Sequence, residues 1–208
     1  MATKGMMKGT PMTRIRLVLW ALVALALVGL SAFLLLRNSP ESPAQRAPAQ
    51  SNFGGPFTLI GADGKAFSSQ ALECKPYAIY FGFTRCGDVC PTTLSRLVKL
   101  RKETTNEQAL NIVFVTIDPA HDGPKEVGQY AELFGSPIIG LTGTQAQIEQ
   151  VKKQYGIFAQ PMPHAAMGKE MEHTAAVLLF DRAGKFVATI APDEPDASAL
   201  TKLKTLAA

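Results

Sequence analysis

The stretch "FGFTRCGDVCPTTL", Phe81 to Leu94, places two cysteines four residues apart, directly after an apolar run and directly before a proline. Pro91 suits the first turn of a helix, so Cys86 and Cys90 stand where a buried strand hands over to a helix N-terminus. A sulfur there feels the positive end of the helix dipole, and Cys90 is therefore expected to have a lowered thiol pKa. Asp88 is the expected cap, and Arg85 adds a neighbouring positive charge. Such a thiolate can attack a disulfide or ligate a soft metal. Redox pairs at a helix start most often have two intervening residues, and here there are three, "GDV". The longer loop lets both sulfurs converge on one ion without forbidding a disulfide. From the cysteines alone, a redox pair, a metal clamp and a merely structural pair all remain open.

The elements around them alternate. "PFTLI" and "KAFSS" flank the turn "GADGK" and predict a hairpin at the start of the folded part, near Phe53. "YAIYFGF" and "NIVFVTID" are continuous apolar runs, as in strands buried on both faces. A helix from about Asp88 to Thr104 carries Leu94, Leu97, Val98 and the stem of Arg101 on its apolar side. "PKEVGQYAELFG" predicts a second helix, with Pro124 in its first turn and Gly135 at its stop. "PIIGLTG" predicts a short strand, and a helix follows between Thr144 and Gly156. "TAAVLLFDRAGKFVATIA" predicts a late hairpin, and Ala197 to Leu206 a closing helix. The order gives an α/β sandwich with a mixed central sheet, a thioredoxin-like architecture.

Ahead of this domain, Leu17 to Leu36 is a run of 20 uncharged residues, which as a helix matches a hydrocarbon core of roughly 30 Å. A cleaved signal peptide would have a shorter apolar region and a small-residue cleavage site, whereas Arg37 follows this run directly. Lys4, Lys8, Arg14 and Arg16 precede it with no acidic residue among them, which keeps a short N-terminus, residues 1–16, in the cytoplasm. The expected plan is thus a transmembrane anchor over 17–36, a Pro/Ala/Ser/Gln-rich flexible linker over 37–52, and an exported domain over 53–208. The four N-terminal charges account for the net charge of +4, so the exported part is formally neutral and its charge does not argue for nucleic acid. Three cysteines make no large disulfide framework, and Cys74 is left over, expected as a small buried residue.

Four stretches in order, "YFGFTRCGDVCPTTL", "VTIDPAHDGP", "LTGT" and "EHTAAVLLFDRAGK", make the chain resemble the Sco/SenC family over roughly residues 53–190. These are membrane-anchored thioredoxin-like proteins that assemble the copper site of cytochrome c oxidase. The resemblance implies one copper ion, Cu(I) or Cu(II), on Cys86, Cys90 and His173. It also implies the copper-site subunit of the oxidase as partner, with other periplasmic copper chaperones. Ligand chemistry agrees, because thiolates favour Cu(I) and an imidazole completes a set that also accepts Cu(II). His173 falls just before the late hairpin, where thioredoxins carry a proline facing the cysteine pair. The alternative function is a thiol–disulfide oxidoreductase that reduces cysteines of the target site through Cys86 and Cys90. A peroxidase, the third class with this architecture, fits badly because two cysteines stand so close together. The expected location is a bacterial inner membrane with the domain in the periplasm; the alternative is the mitochondrial inner membrane, facing the intermembrane space.

The chain departs from the usual family pattern at Gly87, at Arg85 and at His121 in "DPAHDGP". Asp118 and Asp122 match the family's paired aspartates and are read as loop-capping groups rather than copper ligands. His121 is a weaker ligand candidate. "QPMPHAAMGKEMEH" gathers Met162, Met167, Met171 and His164, soft or borderline groups that could offer transfer contacts for Cu(I). A surface loop with incidental methionines is the plainer reading of the same residues.

Overall fold

The computed structural model describes residues 11–37, 53–104, 110–161 and 171–208. The chain divides into two units, 1–49 and 50–208. The first contains one helix, α1 (Pro11–Arg37). Its described side chains are Ile15, Arg16 and Leu19 to Ser31, all exposed, and the expected span over 17–36 reaches past them at both ends. Among the described residues no helix is long and apolar enough to cross a membrane. Lys4, Lys8 and most of the linker lie outside the described residues.

The second unit holds the remaining elements: β1 (Thr58–Gly61), β2 (Ala66–Ser68), β3 (Tyr77–Gly82), α2 (Val89–Lys102), β4 (Asn111–Thr116), α3 (Pro124–Glu132), β5 (Ile139–Thr142) and α4 (Gln145–Gln154). After them come β6 (Ala159–Pro161), β7 (Met171–His173), β8 (Val177–Phe180), β9 (Phe186–Ile190) and α5 (Asp196–Ala207). Seven strands form one mixed sheet in the order β2-β1-β5-β4-β3-β8-β9, with β3, β4 and β5 parallel and the others antiparallel to their neighbours. Each expected element is present, and the predicted hairpin is β1–β2. Every residue of β3 is buried, as the unbroken apolar run requires of a strand covered on both faces. Thr144 and Gln147 close a capping box at the start of α4, and Gly156 stops it with φ +62°, a conformation favoured by glycine.

This topology decides where chemistry can occur. Because β3 and β4 run parallel in register from Tyr77↔Asn111 to Gly82↔Thr116, their C-terminal ends release two loops, 83–88 and 117–123, on the same edge. β8 runs antiparallel to β3, with Ile79 opposite Leu178, so the residues entering β8 arrive at that edge too. One feature differs from the expected loop over Gln160–His173. Its two flanks pair as an antiparallel ribbon, β6–β7, in the register Ala159↔His173 and Pro161↔Met171. Met162, His164 and Met167 lie outside the described residues.

Candidate metal centre

The cysteine loop is tied down before it reaches the sulfurs. Asp122 is fully buried and accepts hydrogen bonds from the Thr84 N–H (2.9 Å), the Thr84 hydroxyl (2.6 Å) and the Thr116 hydroxyl (2.6 Å). Its main-chain carbonyl accepts from Thr142 Oγ1 at 2.6 Å, so one residue links the ends of β3, β4 and β5. Asp118 takes an ion pair from Arg85 at 2.5 Å and bonds His121 Nδ1 at 2.9 Å. Both aspartates therefore brace the loop, as expected of them. These hydrogen bonds, together with the ion pair, hold the Asp118 carboxyl below the usual carboxylate range against the opposing effect of burial, which is the largest single influence. The Arg85 charge is spent on Asp118 and is not a free cation beside the thiols. His121 is exposed and bonded to Asp118.

Past Arg85 the chain turns, with the Cys86 N–H on the Phe83 carbonyl at 3.2 Å, and α2 begins at Val89. Asp88 holds the cap position but makes no capping bond with its side chain. The Cys86 sulfur does so instead, accepting the Cys90 N–H at 3.4 Å, and the sulfur thereby takes one of the helix's unpaired amides. Cys86 is half-buried and Cys90 is completely buried. The lowered pKa expected for Cys90 is corrected by this burial. Desolvation, reinforced by the neighbouring Cys86 thiol, pushes Cys90 up to about 12, and the start of the helix does not offset it.

Cys90 sits against Gly82 of β3. A Cβ at position 82 would fall 2.9 Å from Cys90 Sγ, 3.1 Å from the Tyr80 ring and 3.2 Å from the Phe114 ring. Gly82→Ala is therefore expected to dislodge the sulfur and to destabilise the domain by about 1–3 kcal/mol, since overpacking must displace neighbours. Thermal denaturation would show the loss, and Cys90 would react faster with a thiol reagent. An unchanged melting point with unchanged reactivity would remove Gly82 from the site.

His173 completes the cluster from the end of β7. Its Nε2 is 3.7 Å from Cys90 Sγ, and its Nδ1 lies 3.0 Å from the Thr174 carbonyl. A carbonyl can only accept, so Nδ1 carries the proton and the Nε2 lone pair faces the sulfur. Phe83 and Tyr80 stand edge-on to the imidazole, with ring centroids 5.9 and 6.2 Å away. Burial lowers the His173 pKa, only partly opposed by the bond to Thr174, which keeps the ring neutral. Among the described residues no three His, Cys, Asp or Glu side chains already form a closed metal cluster. The Cys86 sulfur is the group turned aside, onto the Cys90 amide.

Met171 shares a face of β7 with His173 and packs partly against the core. Cys74 corrects another expectation. It is exposed, with φ +69°, at the far end of β3, roughly 20 Å of strand from the site. Sequence reasoning missed Gly82, Thr84, Thr174 and Tyr80. The period of two along "YAIYFGF" puts Tyr80 and Gly82 on one face and could have flagged them.

Fold and site together define a thioredoxin-like domain whose active edge carries two cysteines and a histidine. The sequence model of the SCO1/SenC family matches residues 45–208, and the chain belongs to that family. It is similar to the mitochondrial protein SCO2 of Saccharomyces cerevisiae, 32% identical over 82% of this chain. That match spans 58% of the yeast protein's length. A SCO2-like protein of Rickettsia conorii is 34% identical over 77% of this chain and 83% of its own. Among solved structures, Bradyrhizobium japonicum ScoI with copper bound superposes with a TM-score of 0.67 at 34% identity, covering 74% of this chain and 99% of that one. Yeast Sco1 with copper bound gives a TM-score of 0.65 at 30% identity, covering 73% and 86%.

Proposed function

We propose that this chain is a membrane-anchored copper chaperone in which Cys86, Cys90 and His173 hold one copper ion in transit to the copper site of cytochrome c oxidase. The observation that carries the reading is the 3.7 Å between Cys90 Sγ and the lone pair of His173 Nε2. A metal held by sulfur at about 2.3 Å and by imidazole at about 2.0 Å, with an angle near 120°, calls for a sulfur–nitrogen separation of roughly 3.8 Å. Cys86 completes the set by swinging off the Cys90 amide, a movement that its half-exposed position allows. The donors are soft sulfur and neutral imidazole, a set that suits copper in either oxidation state. Copper in the Bradyrhizobium and yeast relatives supports that choice of cargo.

The anchor reading is supported by the helical conformation of residues 11–37 and by side chains such as Leu19, Trp20, Leu25 and Val28, which are exposed around the whole helix. The bacterial inner membrane, with the domain in the periplasm, suits the basic flank. An accessory role as dithiol reductant finds support in the half-exposed Cys86 standing in front of a buried Cys90.

Copper titration of the full chain in detergent tests the proposal. One equivalent should bind, and the affinity should rise by about tenfold per pH unit between roughly pH 6 and 8, because binding must displace the Cys90 proton. Cys86→Ser should weaken binding sharply. Binding independent of pH, or unchanged in that variant, would sink the chaperone reading.

A further inference from the structure

Tyr80 is completely buried in the middle of β3, and its hydroxyl has no hydrogen-bond partner. A buried hydroxyl left unpaired costs about 1–3 kcal/mol, so its retention calls for a reason. The reason lies in what surrounds it. Tyr80 and Cys90 Sγ both crowd the space above Gly82, and the ring also stands edge-on to His173. The hydroxyl faces the Cys90 thiol and Thr93 without reaching the geometry of a formed bond, and burial followed by the Cys90 charge pushes its pKa upward. It thus remains a donor at neutral pH.

We propose that Tyr80 is a positioning residue whose buried O–H is held ready to donate to the Cys90 sulfur when that sulfur carries negative charge, biasing the centre toward Cu(I). The inference rests on the copper reading above. Two thiolates and a neutral imidazole give a net charge of about −1 around Cu(I) and about zero around Cu(II), so a donor aimed at sulfur favours the former. Tyr130 of α3 offers an internal comparison. Its hydroxyl is also buried without a partner, and its ring lies 5.1 Å from that of Phe114. It is in electrostatic reach of the thiols but makes no hydrogen bond to either.

The test uses the full chain with Tyr80→Phe and Tyr130→Phe, measuring Cu(I) and Cu(II) affinities by competition and the sulfur-to-Cu(II) charge-transfer absorption. Tyr80→Phe should lower the Cu(I):Cu(II) affinity ratio by about tenfold, equivalent to roughly 59 mV for one electron, and move the absorption to longer wavelength. Its metal-free melting point should stay level or rise, because an unpaired hydroxyl has gone. Tyr130→Phe should leave the ratio within about twofold. If the wild-type chain binds one equivalent that is lost in His173→Ala, yet Tyr80→Phe leaves the ratio and the absorption unmoved, this inference alone is overturned. An equal shift in Tyr130→Phe overturns it too, since any buried phenol would then serve. No copper uptake by the wild-type chain overturns it together with the chaperone reading.

Discussion

Replacing His173 with alanine is expected to lower copper affinity by at least about 100-fold, with the larger loss for Cu(II). Thiolates alone can still satisfy soft Cu(I), whereas Cu(II) depends more on the imidazole nitrogen. The structure separates this loss from unfolding. His173 ends a three-residue strand, is only half-buried, and spends its Nδ1 proton on the adjacent Thr174 carbonyl. Removing it should leave the melting point at neutral pH nearly unchanged, because few buried neighbours lose contact. The acid response gives a second signature. A histidine whose pKa is depressed by burial contributes stability that is fully present above its unfolded value of about 6.5 and is lost as pH falls through the lower folded value. His173→Ala should erase that part of the acid sensitivity. Competitive chelator titration and pH-dependent melting measure both effects. Unaltered copper binding in the variant, alongside rapid dithiol exchange, would move the primary role to thiol reduction.

The chain of inference to this residue shows what the sequence could carry. β3 and β4 were legible because strands covered on both faces must be apolar throughout, and α4 because Thr144 and Gly156 bracket it with chemistry that caps and stops helices. Cys86, Cys90 and His173 were legible as donor types, and the family resemblance joined them across 83 residues. The ribbon β6–β7 was not legible. Each strand has three residues, one contains Pro161, and neither shows an alternating pattern. The state of Cys90 was misjudged because proximity to a helix start is a local property, whereas its burial against Gly82 depends on how α2 lands on the sheet. The exposure of Cys74 escaped for the same reason, since its surroundings follow from the turn preceding β3. The partners of Asp122 were hidden by distance in sequence, with Thr84 38 residues away.

Asp122 carries the largest stability effect outside the ligands. Its carboxyl oxygens take three donors at 2.6 to 2.9 Å, and its side chain has no access to water. Asp122→Ala strands the Thr84 amide and two threonine hydroxyls in a place that water reaches only by distorting the loop. Each stranded donor costs about 1–3 kcal/mol, and the hydroxyls can soften their share by rotating, so the total should be about 3–5 kcal/mol. For a domain of this size that corresponds to a fall of about 10 °C or more in melting temperature. The grading of related variants identifies the cause. Thr84→Val removes one hydroxyl with its bond and should cost only about 1 kcal/mol. Asp122→Asn keeps one oxygen for the Thr84 amide and lets a threonine hydroxyl accept from its NH₂, so it should recover roughly half of the loss. Because Thr84 lies two residues before Cys86, the alanine variant should also bind copper more weakly when assayed below its own melting temperature. A loss under about 1 kcal/mol in Asp122→Ala would mean that the loop is held elsewhere, leaving the Arg85–Asp118 ion pair as the principal brace.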